Sequence, residues 1–380
     1  MKIFRIFLCF AAFLTLCAEG GFCQEYQLSV DMRIPFIAGV VPVNGKPTAC
    51  YELYLTNFSS DSMAIVKVEI FDRSDSSLVA SMSNDDLAER YVVIGVPKKG
   101  VENMLAPGNS SVIYLEPTIR NNKLPIQLGH RVSIEILKEG SKKKLTVEGA
   151  FVQLPQKPPV ILGAPLTGGA WAAVYDPSWQ RGHRRVVYTV DGKARIPGRY
   201  AIDFIKLDSQ GRWANGDDNL IKNWYGYGAD VLAVANGTVV AAGGDFPESS
   251  TLSGQPACTP AKATGNYIGI DIGNNNIAFY EHLQPGSIRV KTGQIIRKGE
   301  IIASVGFTGQ TTGPHLHFHV ADRNSPLGAE GVPFVFERFT VLGGYIDFEK
   351  FGKEPWTRVN VMQPSSVTAE RPAPKSVIRF

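Results

Sequence analysis

Apolar and polar residues alternate with a period of two through much of this chain, and that period belongs to strands rather than helices. In MAIVKVEIFD, Val66, Val68 and Ile70 alternate with Lys67 and Glu69. In RVSIEILK, Val132, Ile134 and Ile136 alternate with Ser133 and Glu135, and in KKLTVEGAFV, Leu145, Val147 and Phe151 share one face. Turn-rich gaps such as FSSDS, RSDSS and APGNSS separate these segments, and 38 glycines and 24 prolines supply many more turns. One buried and one wet face per strand, at short spacing, predicts an all-β chain whose residues 24–154 form an antiparallel sandwich of immunoglobulin-like type. His130 opens one of these strands and reads as a surface or turn histidine.

The proline- and glycine-rich run QLPQKPPVILGAPLTGG reads as an extended linker over residues 155–170. Strand patterns resume in RRVVYTVDG, YAIDFIKLD, DVLAVANGTVVAA, NYIGIDIG, NIAFYEHL and PHLHFHV, which define a second β domain at 171–351. Residues 352–380 carry Pro355, Pro364, Pro372 and Pro374 among scattered polar residues and are expected to be disordered.

Residues 1–23 combine a basic start, Lys2 and Arg5, with an apolar run of 13 residues from Ile6 to Ala18. That run is short for a membrane helix and reads as a secretory signal peptide. Its removal takes Lys2, Arg5 and Glu19 with it, so the formal charge falls from +4 to +3, too mild to suggest nucleic acid. No later stretch is apolar enough to span a membrane, and a secreted or periplasmic location follows. Cys50 and Cys258 remain after cleavage, in different domains, and are expected to stay unpaired.

Chemistry concentrates in TTGPHLHFHV, where His315, His317 and His319 point to one side of a strand while Leu316, Phe318 and Val320 point to the other. A row of imidazoles is a surface for metal binding or proton transfer. Three further groups qualify as partners: His282 in YEHL, Asp203 between apolar neighbours in YAIDF, and His183 in GHRR.

These segments resemble the lysostaphin-like (LytM-type) zinc metallopeptidases that cut peptidoglycan peptides. The likeness rests on GQIIRKGEIIASVGFTGQTTGPHLHFHV, GNYIGIDIGNNNIAFYEHL, YGADVLAVANGTVVAA and RYAIDF, about a third of the chain, and excludes the sandwich. The resemblance implies a C-terminal antiparallel β peptidase domain, a catalytic Zn2+ ligated by Asp203 and His317, and His282 and His315 flanking the attacking water and the carbonyl under attack. It implies peptidoglycan peptides as substrate. The family's remaining ligand, a histidine four residues before the aspartate, falls on Arg199, which cannot bind metal. His319 is the nearest replacement in sequence and His183 the other. Alternatively Arg199 pairs with Asp203, no metal binds, and the domain is a degenerate relative that binds cell wall or regulates a wall hydrolase. On either reading the sandwich is expected to place the chain on the wall or on a partner, a wall hydrolase or another envelope protein. Trp213, Trp224, Tyr225 and Tyr227, in a long insert after Asp203, are read either as a stacking surface for glycan or peptide or as a small core of the insert itself.

Overall fold

The computed structural model describes residues 30–36, 38–95, 103–120, 124–138, 141–176, 179, 182–358 and 365–380. The segment read as a signal peptide lies outside them. The N-terminal half is two five-stranded antiparallel sheets. One contains Val30–Arg33, Gly39–Val43, Lys46–Asn57, Tyr91–Val93 and Ser110–Leu115; the other contains Ser62–Asp72, Leu78–Ser83, Met104–Leu105, Gln127–Lys138 and Ser141–Gln153. Leu53, Leu55, Ile113 and Leu115 of the first meet Ile65, Val68, Ile70, Val132 and Ile134 of the second in one apolar core. A short helix absent from the sequence reading, Asn84–Arg90, buries Leu87 against the same core.

Two bulges reassign side chains that simple alternation would misplace. The register of Ser62–Asp72 shifts between Ile65 and Lys67, so Ile65 joins Val68 and Ile70 in the core while Val66 stays half-buried. A second shift between Gly149 and Val152 buries Val152 and leaves Phe151 42% exposed under the Arg73 guanidinium. One extra residue in a strand flips everything beyond it to the opposite face. His130 also departs from expectation, because it is fully buried rather than at the surface. Its Nδ1 lies 2.8 Å from the Ala150 carbonyl, which can only accept, so Nε2 accepts from the Tyr51 hydroxyl at 2.9 Å.

The second domain is built on a twelve-stranded sheet. Its central order runs Phe334–Gly344, Ser376–Arg379, Gly169–Val174, Ile202–Lys206, Leu316–Ala321, Ile277–Glu281, Tyr267–Asp271 and Gly237–Gly243. The expected disordered tail is instead part of this sheet: Ser365–Glu370 pairs with Phe334–Gly344, and Ser376–Arg379 sits between that strand and Gly169–Val174. Pro372 and Pro374 lie between these two strands, where no ladder hydrogen bond is lost, and Val377 and Ile378 are fully buried. The linker contributes too, since Val160–Leu162 pairs in parallel with Phe334–Gly344. Cys50 of the sandwich packs into the second domain's core, and both Cys50 and Cys258 are free thiols. Among the described residues no helix is long and apolar enough to cross a membrane.

Candidate metal centre

Strand register builds the site. Ile202–Lys206 and Ile277–Glu281 flank Leu316–Ala321, and the pairing puts Asp203 opposite His317 on one side and Glu281 opposite His317 on the other. Cross-strand partners share a face, so the carboxylate and the imidazole meet directly. His317 Nδ1 lies 2.9 Å from Asp203 Oδ1. The other carboxylate oxygen, Oδ2, lies 2.9 Å from His183 Nε2. His183 comes from a 3-10 turn, His183–Arg185, outside the sheet. Its ring meets that of His317 edge-on, centroids 4.7 Å apart.

His183, Asp203 and His317 offer three donor atoms within 4.8 Å of one another. Two imidazoles and a carboxylate are a donor set that suits zinc. A divalent cation among them would replace the two ring protons that Asp203 now accepts. His319, the nearest candidate for a third ligand in sequence, does not join the group that contains Asp203. It groups with Glu281 and His317, its Nδ1 3.6 Å from Glu281 Oε1 and its ring stacked on Phe279. The anticipated Arg199–Asp203 pair is also absent: Arg199 is buried against Glu52 of the sandwich and Glu330.

His282 and His315 stand beside this cluster, their ring centroids 4.8 Å apart. His282 follows its strand in the left-handed region, φ 62°. Such backbone is uncommon for a residue with a Cβ and is concentrated at functional sites. Its Nδ1 donates to the Thr308 carbonyl at 2.8 Å, which leaves the lone pair on Nε2. His315 Nδ1 likewise lies 2.8 Å from the Gly313 carbonyl, and its Nε2 is 3.2 Å from Asp203 Oδ1. Neither backbone carbonyl was assigned a role from the sequence, because carbonyl acceptors leave no trace in residue type; Glu281 is visible beside His282 in YEHL, but the residue pattern gave it no role.

Burial opposes the charge of Asp203, but the imidazoles of His183 and His315 outweigh it and hold the carboxyl well below the usual carboxylate range. Burial drives His282 and His319 well below the ordinary imidazole value, helped by neighbouring histidines. Burial also lowers His317 in spite of Asp203, whereas for His315 the Asp203 carboxylate overcomes burial and raises it. Burial and the nearby Asp203 charge push Glu281 well up.

The insert after Asp203 forms a wall next to the site. Trp213 stacks on Trp224, centroids 5.4 Å apart and planes 2° from parallel, and Phe351 packs edge-on against Trp213. Trp224 abuts Gly313, where a Cβ would come within 2.3 Å of its ring. The insert therefore has its own core, and that core braces the loop leading into His315. Glu248 and Gln255 hold the same loop by accepting from Phe307 N–H at 2.9 Å and donating to the Phe307 carbonyl at 2.8 Å.

Residues 221–328 match the sequence model of Peptidase family M23. Peptidoglycan DD-endopeptidase ShyB of Vibrio cholerae serotype O1 is 45% identical over 65 residues, covering 17% of this chain and 15% of that protein. Peptidoglycan DD-endopeptidase ShyC of the same organism is 36% identical over 91 residues, covering 24% of this chain and 19% of that one. The chain thus spans less than a fifth of the length of these curated relatives. Among solved structures, the catalytic domain of the antimicrobial peptidase lysostaphin from Staphylococcus simulans aligns with 22% identity and a TM-score of 0.23, over 44% of this chain and 88% of that one. His282, His315, His317 and His319 fall inside the matched segment; His183 and Asp203 precede it.

Proposed function

We propose that this chain, whose residues 221–328 form a Peptidase family M23 domain, is a zinc-dependent endopeptidase of the cell envelope that hydrolyses peptide bonds of peptidoglycan. The observation that carries this reading is the convergence of His183 Nε2 and His317 Nδ1 on the two oxygens of Asp203, each at 2.9 Å, beside two further histidines. His183, Asp203 and His317 would hold the metal. Bound there, zinc supplies Lewis acidity toward the scissile carbonyl and an acidified water.

The protein's own groups do the proton work. His282 keeps an unprotonated Nε2 because its Nδ1–H is committed to the Thr308 carbonyl. It takes the proton of the attacking water and returns it to the leaving amine. His315 is oriented by the Gly313 carbonyl and turns its Nε2 to the same space; in its protonated form it donates to the developing oxyanion. The degenerate alternative drew on Arg199 at a ligand position, and Arg199 is occupied with Glu52 and Glu330 instead.

The test is digestion of purified sacculi by zinc-loaded protein, with His282→Ala and His315→Ala. We expect soluble muropeptides from the wild type and a loss of roughly 10²–10⁴-fold in either variant, with zinc content retained. A zinc-loaded wild type that binds sacculi and releases nothing would overturn the enzymatic reading.

A further inference from the structure

Glu52 sits in the sandwich strand Lys46–Asn57, fully buried, and faces the peptidase domain. Two guanidiniums from that domain close on it. Arg184 donates through Nε to Glu52 Oε1 at 2.7 Å, and Arg199 Nη2 lies 2.8 Å from Glu52 Oε2. Arg184 goes further into the sandwich: Nη1 donates to Glu116 at 3.0 Å, and Nη2 donates to the Tyr51 carbonyl at 2.6 Å and the Leu115 carbonyl at 3.0 Å. A planar guanidinium held at four points has one direction open to it.

The positions of these arginines give the cluster its meaning. Arg184 is the residue after His183, in the same three-residue turn. Arg199 belongs to the turn Pro197–Tyr200, which leads directly into the strand carrying Asp203. The two turns also touch: a Cβ on Gly198 would fall 2.7 Å from the His183 carbonyl. One buried carboxylate therefore ties together the backbone on both sides of the His183–Asp203 contact. Arg185 reinforces the arrangement by donating to the Glu89 carbonyl, again on the sandwich. Buried ion pairs of this kind add little net stability, but removing one partner strands the others without compensation.

We infer that Glu52 is a positioning residue for the metal centre: through Arg184 and Arg199, the sandwich holds His183 and Asp203 in register with His317. This rests on the zinc-site reading above. On this view the sandwich face against the peptidase domain is part of the active-site scaffold rather than a detachable targeting module.

The test uses the full chain, reading zinc affinity by chelator competition and the visible absorption of the cobalt-substituted protein, which reports coordination. Glu52→Gln is expected to weaken zinc binding by about 10–100-fold and to alter the cobalt spectrum. Arg184→Lys, which keeps the charge but loses the fork, is expected to do the same and carries the test if Glu52→Gln does not fold. Leu53→Ala, which removes a side chain from the sandwich's own core on the other face, is expected to lower Tm while leaving zinc affinity and the cobalt spectrum unchanged. Wild-type affinity and spectrum in both clamp variants would overturn the inference, as would an equal loss of zinc in Leu53→Ala. A wild type that binds no zinc refutes the metal-site reading itself, a separate result.

Discussion

Replacing His183 by alanine separates the two sources of the third ligand. The structure puts His183 Nε2 2.9 Å from Asp203 and within 4.8 Å of the other two donor atoms, whereas His319 turns to Glu281. Zinc held by four ligands at neutral pH is bound by about 10–16 kcal/mol in small structural sites, so one ligand accounts for roughly 2.5–4 kcal/mol. At 1.4 kcal/mol per factor of ten, His183→Ala should weaken zinc binding by roughly two to three orders of magnitude. His319→Ala removes a buried ring packed on Phe279, so it should cost stability and leave zinc affinity close to wild type. The assay is competition for zinc against a chelator of known affinity, with metal content after dialysis as a second readout and Tm as a check on folding. If His319→Ala loses zinc as severely as His183→Ala, or His183→Ala binds like the wild type, the ligand assignment is wrong.

Three other outcomes test separate parts of the structure. Burial lowers His130 from 6.5 to about 4, so the unfolded chain takes up its proton first as the pH falls. The stabilising effect of keeping it neutral is complete above pH 6.5, fades through the window down to about 4, and amounts to about 3 kcal/mol; urea unfolding at pH 7 and 4.5 should show a flatter dependence in His130→Gln, and equal slopes would contradict the assignment. Deleting residues 365–380 removes Val377 and Ile378 from the core and strips Phe380 from Phe204 and Phe336, at about 1.5–3 kcal/mol for each buried side chain. Expression should yield insoluble or unfolded protein by circular dichroism, and a soluble, native-like truncation would refute the tail's role in the sheet. Gly313→Ala drives a methyl group into Trp224 and shifts the loop that aims His315. Sacculus digestion should fall by roughly 10²-fold, as misplacement by about 1 Å can cause, with zinc content unchanged; full activity would mean that the insert does not brace the loop.

How far the fold could be read from the sequence depended on where the period-two signal was interrupted. Alternation identified Gln127–Lys138 and Ser62–Asp72 as strands, but it carried no mark of the extra residues that move Val66 out of the core and turn Phe151 toward solvent. A bulge is a local departure in backbone pairing; Val66 and Lys67 at the first carry no mark of it, whereas Gly149 at the second is the one residue whose type signals a bulge inside a strand pattern. The tail misled for another reason. Pro364, Pro372 and Pro374 dominate its composition, yet SSVTAE and SVIR between and beyond them are short strands that become stable only by insertion beside Phe334–Gly344. No property of those residues taken alone announces such a partner.

The site divides along the same line. Asp203 and His317 are legible because each lies on a strand with a clear inner and outer face, and adjacent strands bring matching faces together. His183 is not legible in that way. It sits in a three-residue 3-10 turn, has no periodic neighbours, and reaches Asp203 because Arg184 beside it is drawn into a carboxylate 132 residues earlier in the chain. The same carboxylate explains Arg199. An arginine four residues before a metal-binding aspartate looks from the sequence like a cation that would neutralise it. A guanidinium that is nearly desolvated, however, must satisfy its donors where the acceptors are, and Glu52 and Glu330 flank its path while Asp203 is already engaged by three imidazoles, those of His183, His315 and His317. An arginine at a ligand position therefore does not by itself imply an abandoned site. On the proposed ligand set the role passes to His183 in another segment, and Arg199, through Glu52, would help hold that substitute in place.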